Sequence, residues 1–141
     1  GHAEPIAERI KAGAPTRAAG KQLQNLELGI GDAVIGRMAI EIALDAQQKL
    51  EADGIGARVV SLPCFSLFAA QPATYQEETL GGKLPRVAVE AGVRDGWDRW
   101  IRPEGGFVGM SSFGASAPYK ALYKHFGITA EAVVKAAKER V

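Results

Sequence analysis

The chain has 141 residues, 47% hydrophobic and 23% charged, with 17 Lys+Arg against 16 Asp+Glu for a formal net charge of +1. This is one domain's worth of chain, apolar enough to build its own core without staples. The balanced charge excludes a strongly basic nucleic-acid binder, which neutralises phosphates with a basic patch, and an acidic disordered tail. No apolar run approaches the roughly 18–20 residues that cross a bilayer, and no secretory pattern opens the chain. The one cysteine, Cys64, has no second thiol to pair with, which fits a reducing compartment. Gly1-His2, without an initiator methionine, reads as the remnant of a tag or of processing, so a longer parent is expected.

Residues 1–25 read as a linker or N-terminal extension. Ile6 and Ile10, four apart, allow a short helix over Glu4–Lys11, and Gly13, Pro15 and Gly20 break anything longer. Leu26 to Ile35 reads as a strand interrupted at Gly29 and Gly31, firmest over Ala33–Ile35. Met38–Ala52 is a predicted helix with Ile40, Ala43, Leu44, Gln47 and Leu50 on one face and Gly54 as its stop. Ala57–Leu62 and Arg86–Ala91 carry short β-branched cores, Val59-Val60 and Val87-Ala88-Val89, of the kind buried on both faces. Between them, short helices are predicted over Phe65–Ala70 and Ala73–Thr79. Arg94–Ile101 is predicted helical from Trp97 and Ile101 at i, i+4, and Phe107–Met110 is a short strand after Gly105-Gly106.

Tyr119, Leu122, Tyr123 and Phe126 set a helical stripe, predicting a helix over Ala117–Phe126 with Ser116 as N-cap and Gly127 as stop. Thr129 caps a last helix over Ala130–Arg140, with Glu131 near its positive end and Lys135, Lys138 and Arg140 toward its negative end. Strands that are apolar on both faces, alternating with helices, require helical layers on both sides. The predicted fold is α/β: a three-layer α/β/α sandwich around a mostly parallel or mixed sheet of about five strands, formed by residues 26–141.

The residues offer little chemistry. Gly29-x-Gly31 is not completed to a dinucleotide fingerprint by Gly36, and no phosphate loop of the Walker type is present. Two histidines do not make a metal cluster, and His125 falls at a helix end, where its charge suits the dipole. Cys64 lacks a nearby histidine base. Adjacent Glu77 and Glu78 point apart on a helix, and Asp95 and Asp98 sit at a helix start. Glu90 stands at the C-terminal end of an apolar strand, where open α/β sheets place ligand groups; an ion pair with Arg86 or Arg94, or a subunit contact, is the favoured explanation. The loop Ser111–Ser116 precedes a helix and offers backbone N–H groups to an anion, with Arg94 as a possible helper, or is only a helix entry.

From Gly56 onward the sequence resembles the C-terminal domain of transketolase. Gly56-Ala57-Arg58-Val59-Val60-Ser61-Leu62-Pro63 looks like its second strand and turn, and Phe68, Gln71 and Tyr75 follow at similar spacing. Arg86-Val87-Ala88-Val89-Glu90-Ala91-Gly92, then Gly96-Trp97, resembles the next strand and its sequel. Gly109-Met110 leads to Phe113-Gly114-Ala115-Ser116-Ala117-Pro118 and to Phe126-Gly127-Ile128-Thr129. The resemblance covers about residues 40–141. Where the family usually shows Thr-Gly-Ser-Glu before the first helix, this chain has Gly36-Arg37-Met38-Ala39, without the capping serine.

The resemblance implies a cytoplasmic parent enzyme of the pentose phosphate pathway. Such an enzyme moves a two-carbon ketol unit between sugar phosphates with thiamine diphosphate and Mg²⁺, held by its N-terminal and middle domains across a homodimer. It implies no catalytic, cofactor-binding or metal-binding residue on this chain. The expectation is a non-catalytic domain whose partners are those other domains and the second protomer, not nucleic acid or membrane. Glu90, Arg94, Trp97, Phe113 and Ser116 are the candidates for an interface or anion site. A stand-alone or split-subunit anion- or nucleotide-binding regulatory module is the alternative.

Overall fold

The computed structural model describes residues 25–30 and 36–141. The expected helix over Glu4–Lys11 and the firmest part of the first predicted strand, Ala33–Ile35, lie outside them. So does the expected linker, except for Asn25, which opens the first strand. Among the described residues, four strands form one sheet in the order β2-β1-β3-β4: β1 (Asn25–Ile30), β2 (Gly56–Ser61), β3 (Arg86–Val89) and β4 (Gly106–Val108). Every pairing is parallel, with Leu28 opposite Val59 and Val87, and Val89 opposite Val108. Parallel neighbours need crossovers, and the helices supply them.

β3 shows why the layers are needed. Val87, Ala88 and Val89 are all fully buried. Val87 and Val89 point to one face and Ala88 to the other, the alternation a strand imposes. On the first face lie α1 (Gly36–Ala52) and α6 (Ala130–Lys138), which pack on each other and on the strands. The buried stripe of α1 is Ala39, Ala43, Ala46 and Leu50, with Ile40 and Leu44 only partly covered. It is turned from the predicted face toward the alanines, and α6 answers with Ala130, Val133 and Ala137. Small residues on both helices let their backbones approach closely. Gln47, predicted to be on the apolar face, instead donates from Nε2 to the Ala57 carbonyl at 2.7 Å. Thr129 caps α6 as expected, accepting from the Ala132 amide at 3.2 Å.

The opposite face carries α2 (Phe65–Ala69), α3 (Ala73–Thr79) and α4 (Asp98–Ile101). Phe68, Leu80, Trp97, Trp100 and Ile101 close over Ala88, and Phe65 meets the Trp97 ring edge-on at 4.9 Å. α4 starts four residues later than predicted, because Gly96 has φ +83°, which a helix cannot hold. Arg94 staples the far end of this segment. Its guanidinium bonds Asp98 and donates to the carbonyls of Arg102, Pro103 and Gly105. Arg102 itself has φ 67° and ψ 164°, a conformation costly for a side chain with Cβ. It is held there by donation from Nη2 to the Gly82 carbonyl at 2.6 Å and by Glu77 at 3.5 Å. Buried Arg86 gives its Nη1 and Nη2 to the Trp100 and Gly82 carbonyls, with Glu77 at 3.7 Å.

α5 (Tyr119–His125) begins two residues after the predicted start, and its N-cap is Pro118, not Ser116. A residue before proline is pushed out of the helical region, so Ala117 cannot open the helix. Ser116 is left in the preceding loop.

Gly105 is buried under Ile101: a Cβ there would collide with the Ile101 carbonyl and stand 2.7 Å from its Cβ. Gly105→Ala is expected to cost about 2 kcal/mol, the usual scale of an overpacked site, read as a lower urea midpoint at unchanged slope. An unchanged midpoint would show that this turn yields easily.

Candidate functional site: the crevice at the strand ends

The order β2-β1-β3-β4 makes the chain leave β1 toward α1 on one face and leave β3 toward α4 on the other. Crevices at such reversals, outside the C-terminal ends of the strands, are where open α/β sheets receive ligands. An open cleft of about 490 Å³ lies at this edge, formed by residues 62–66 after β2 and by Glu90, Gly92, Val93, Asp95 and Trp97 after β3. At its wall the Cys64 Sγ and Ser66 Oγ lie 3.3 Å apart.

Glu90 is the polar centre of this edge. Its Oε2 accepts from Trp97 Nε1 at 2.6 Å, and the indole itself is fully buried. Sequence reasoning offered an arginine as the neutralising partner. The donor found is an indole, while the Arg94 guanidinium is committed to Asp98 and the α4–β4 turn. From the other face comes Tyr123, on α5. Its hydroxyl is buried and has no hydrogen-bond partner among the described residues. Burial, and then the negative charge of Glu90, raise the phenol above its ordinary pKa. Glu90 therefore stands where the two helical layers meet, with Trp97 from one core and Tyr123 from the other.

The five predicted residues fall in two places. Glu90 and Trp97 are hydrogen-bonded to each other in the cleft, with Arg94 near them in sequence but turned to the α4–β4 turn. Phe113 and Ser116 lie on the loop between β4 and α5, where Phe113 is 98% exposed. Asp95 and Ser66 line the cleft, and Tyr123 feels the charge of Glu90. For Tyr123 the only sequence signal was its place in the α5 stripe, which marks burial and not its neighbour. His125 is exposed at the end of α5, with its ring edge-on to Phe126 at 5.0 Å.

Electrostatically the cleft presents the carboxyls of Glu90 and Asp95, and no Lys or Arg lines it among the described residues. Phosphate groups are repelled by such a lining. No cluster of three His, Cys, Asp or Glu suited to a metal ion occurs among the described residues, and none of their helices is long and apolar enough to cross a membrane.

Residues 36–129 match the family described as the transketolase-like TK C-terminal domain. The chain belongs to that family. A transketolase of Cereibacter sphaeroides is 61% identical over 102 residues, which are 72% of this chain and 15% of that protein. Among solved structures, the transketolase of Leishmania mexicana matches with a TM-score of 0.71 and 42% identity, over 84% of this chain and 16% of that one. That of Pichia stipitis in complex with sedoheptulose-7-phosphate matches with a TM-score of 0.70 and 28% identity, over 86% and 17%. This member of the transketolase C-terminal domain family thus spans about one-seventh of the length of such relatives.

The lone Tyr123 hydroxyl generates a prediction. Removing it breaks no hydrogen bond and relieves a buried polar group, so Tyr123→Phe should be neutral or stabilising by up to about 1 kcal/mol at pH 7. A phenol whose pKa is raised by folding keeps its proton longer in the native state than in the unfolded chain. Its contribution is complete below about pH 10 and is lost as the pH rises past that value. Denaturant titrations of Tyr123→Phe should show a shallower alkaline decline than the parent. A loss above about 1 kcal/mol at pH 7 would mean that the hydroxyl has a partner.

Proposed function

We propose that this chain serves as the C-terminal domain of a transketolase, an enzyme that transfers a two-carbon ketol unit between sugar phosphates in the cytoplasm, and that its own contribution is structural. Residues 26–141 form the domain, and 1–25 lead into it. The observation that carries this reading is the family match over residues 36–129 in a chain spanning 15% of its Cereibacter sphaeroides relative. The sugar-phosphate complex of the Pichia stipitis relative supports the substrate class.

Thiamine diphosphate and Mg²⁺, which such an enzyme uses, do not fit the described residues. A diphosphate needs donors or cations, and the cleft at the strand ends offers two carboxyls instead. A divalent ion needs a cluster of oxygen ligands, and the described residues contain none. Cofactor and substrate belong to the other domains and the second protomer of a homodimer. The same carboxyl lining speaks against an anion- or nucleotide-binding module, as does the commitment of Arg94 to the α4–β4 turn.

The test is a domain exchange. In the Cereibacter sphaeroides transketolase, the segment matched by this chain is replaced by this chain's own. Ketol transfer from xylulose 5-phosphate should persist within about tenfold of the parent, a loss of roughly 1.4 kcal/mol in transition-state stabilisation. The 141-residue chain alone should show none. Activity at background in a folded chimera, or turnover by the isolated chain, would overturn the reading.

A further inference from the structure

The most exposed aromatic side chain among the described residues is not near the cleft. Phe113 is 98% exposed, and Ser111 to Lys120 are exposed without interruption. A ring left in water in this way costs hydrophobic free energy that burial would recover, so such a side chain marks a contact. Two further observations single out the segment. Met110 to Tyr119 contain no Lys, Arg, Asp or Glu, in a chain where 23% of residues are charged. From Ser111 to Ala117 no backbone hydrogen bond is made among the described residues. The loop is tied at its two ends, by the Met110 amide to the Gly92 carbonyl at 2.7 Å and by the Pro118 carbonyl to the Ala121 amide at 2.9 Å. Between those ties, donors and acceptors point outward beside an unshielded ring.

We propose that residues 111–119 are the domain's docking loop, with Phe113 as its anchor, and that what covers them is the remainder of a transketolase. The contact is an uncharged pocket that takes the ring and meets the loop's backbone groups. This rests on the functional reading above and names its surface. The choice of occupant follows from the extent of the family match. The loop lies inside the matched residues 36–129, whereas residues 1–24 of this chain lie outside it. A surface built by the family's own segment is complemented by something the family also carries. The relatives supply it, since this chain spans only 15% of one and 16% of another. Absence of charge on the loop fits burial: interface centres are depleted in charge, and truncating an aromatic anchor there is among the costliest changes.

Phe113→Ala separates the possibilities, because the ring is 98% exposed to solvent. In the 141-residue protein the variant should melt within about 1 °C of the parent. In the domain-exchanged Cereibacter sphaeroides enzyme it should lower the melting temperature by several degrees. In subunit-dissociation measurements it should weaken assembly by about tenfold or more. Lys124→Ala, an exposed change on α5 outside the loop, should do neither. A chimera that is active but indifferent to Phe113→Ala overturns the docking loop and leaves the domain assignment standing. An inactive, unassembled chimera overturns the assignment itself. Two results in the 141-residue protein would also overturn the proposal. If it dimerises at 100 µM () through Phe113, the occupant is a second copy. If deleting residues 1–24 raises the reactivity of the loop to limited proteolysis, the occupant is the chain's own N-terminal segment.

Discussion

The structure depends on the enclosure of β3. Three consecutive residues, Val87, Ala88 and Val89, have no accessible surface, and both neighbouring strands run parallel to theirs. A strand with apolar side chains on two faces cannot sit at a surface, so one helical layer has to cover Val87 and Val89 and another Ala88. The two layers answer differently. On one side α1 and α6 approach through alanines, and on the other a group of large rings packs edge to face around Trp97 and Trp100. Each fully buried valine is worth roughly 1.5–3 kcal/mol relative to exposure, enough for β3 to set where the helices must go.

The same constraint creates the site. Where β3 ends, the chain passes out between the two layers, and the next residue is Glu90. An acid at that edge is partly withdrawn from water and needs a donor, which the Trp97 indole provides from the aromatic layer. Tyr123, in the alanine-lined core, is close enough for the Glu90 charge to raise its pKa, and burial raises it further. The edge thus joins the two cores through one carboxyl, and its charge leaves the cleft ill-suited to phosphates. The arginines that flank β3 in sequence are spent on structure: Arg94 on the α4–β4 turn, and Arg86 on the Trp100 and Gly82 carbonyls. The carboxyl-lined cleft and the exposed ring of the 111–119 loop are the two surface features that the proposed structural role draws on.

Much of the architecture was legible in the sequence because β3, α3 and α6 announce themselves by local rules: a β-branched core, a compact helical run, and a threonine cap with matching end charges. What the sequence misplaced was governed by neighbours or by backbone. The stripe of α1 turned toward Ala39 and Ala46 because α6 comes close, which no window on α1 alone reveals. α4 and α5 are shorter than their apolar spacing predicts, since the φ of Gly96 and the restriction before Pro118 outweigh that spacing. At the site, Glu90 was found by its position at a strand end. Its partner was not, because an indole bond between residues seven apart carries no pattern. The resemblance of Phe113–Pro118 to the family marked that loop, but its exposure is a matter of tertiary structure that no local pattern encodes.

The most direct test is native-state hydrogen exchange on the 141-residue protein. The account predicts that the amides of Val87, Ala88 and Val89 exchange only with global unfolding, slower than intrinsic rates by about a thousandfold or more. The amides of Ser111 to Ala117 should exchange within a few-fold of intrinsic rates. Exchange of the β3 amides as fast as the loop's would contradict the doubly covered strand on which everything else is built.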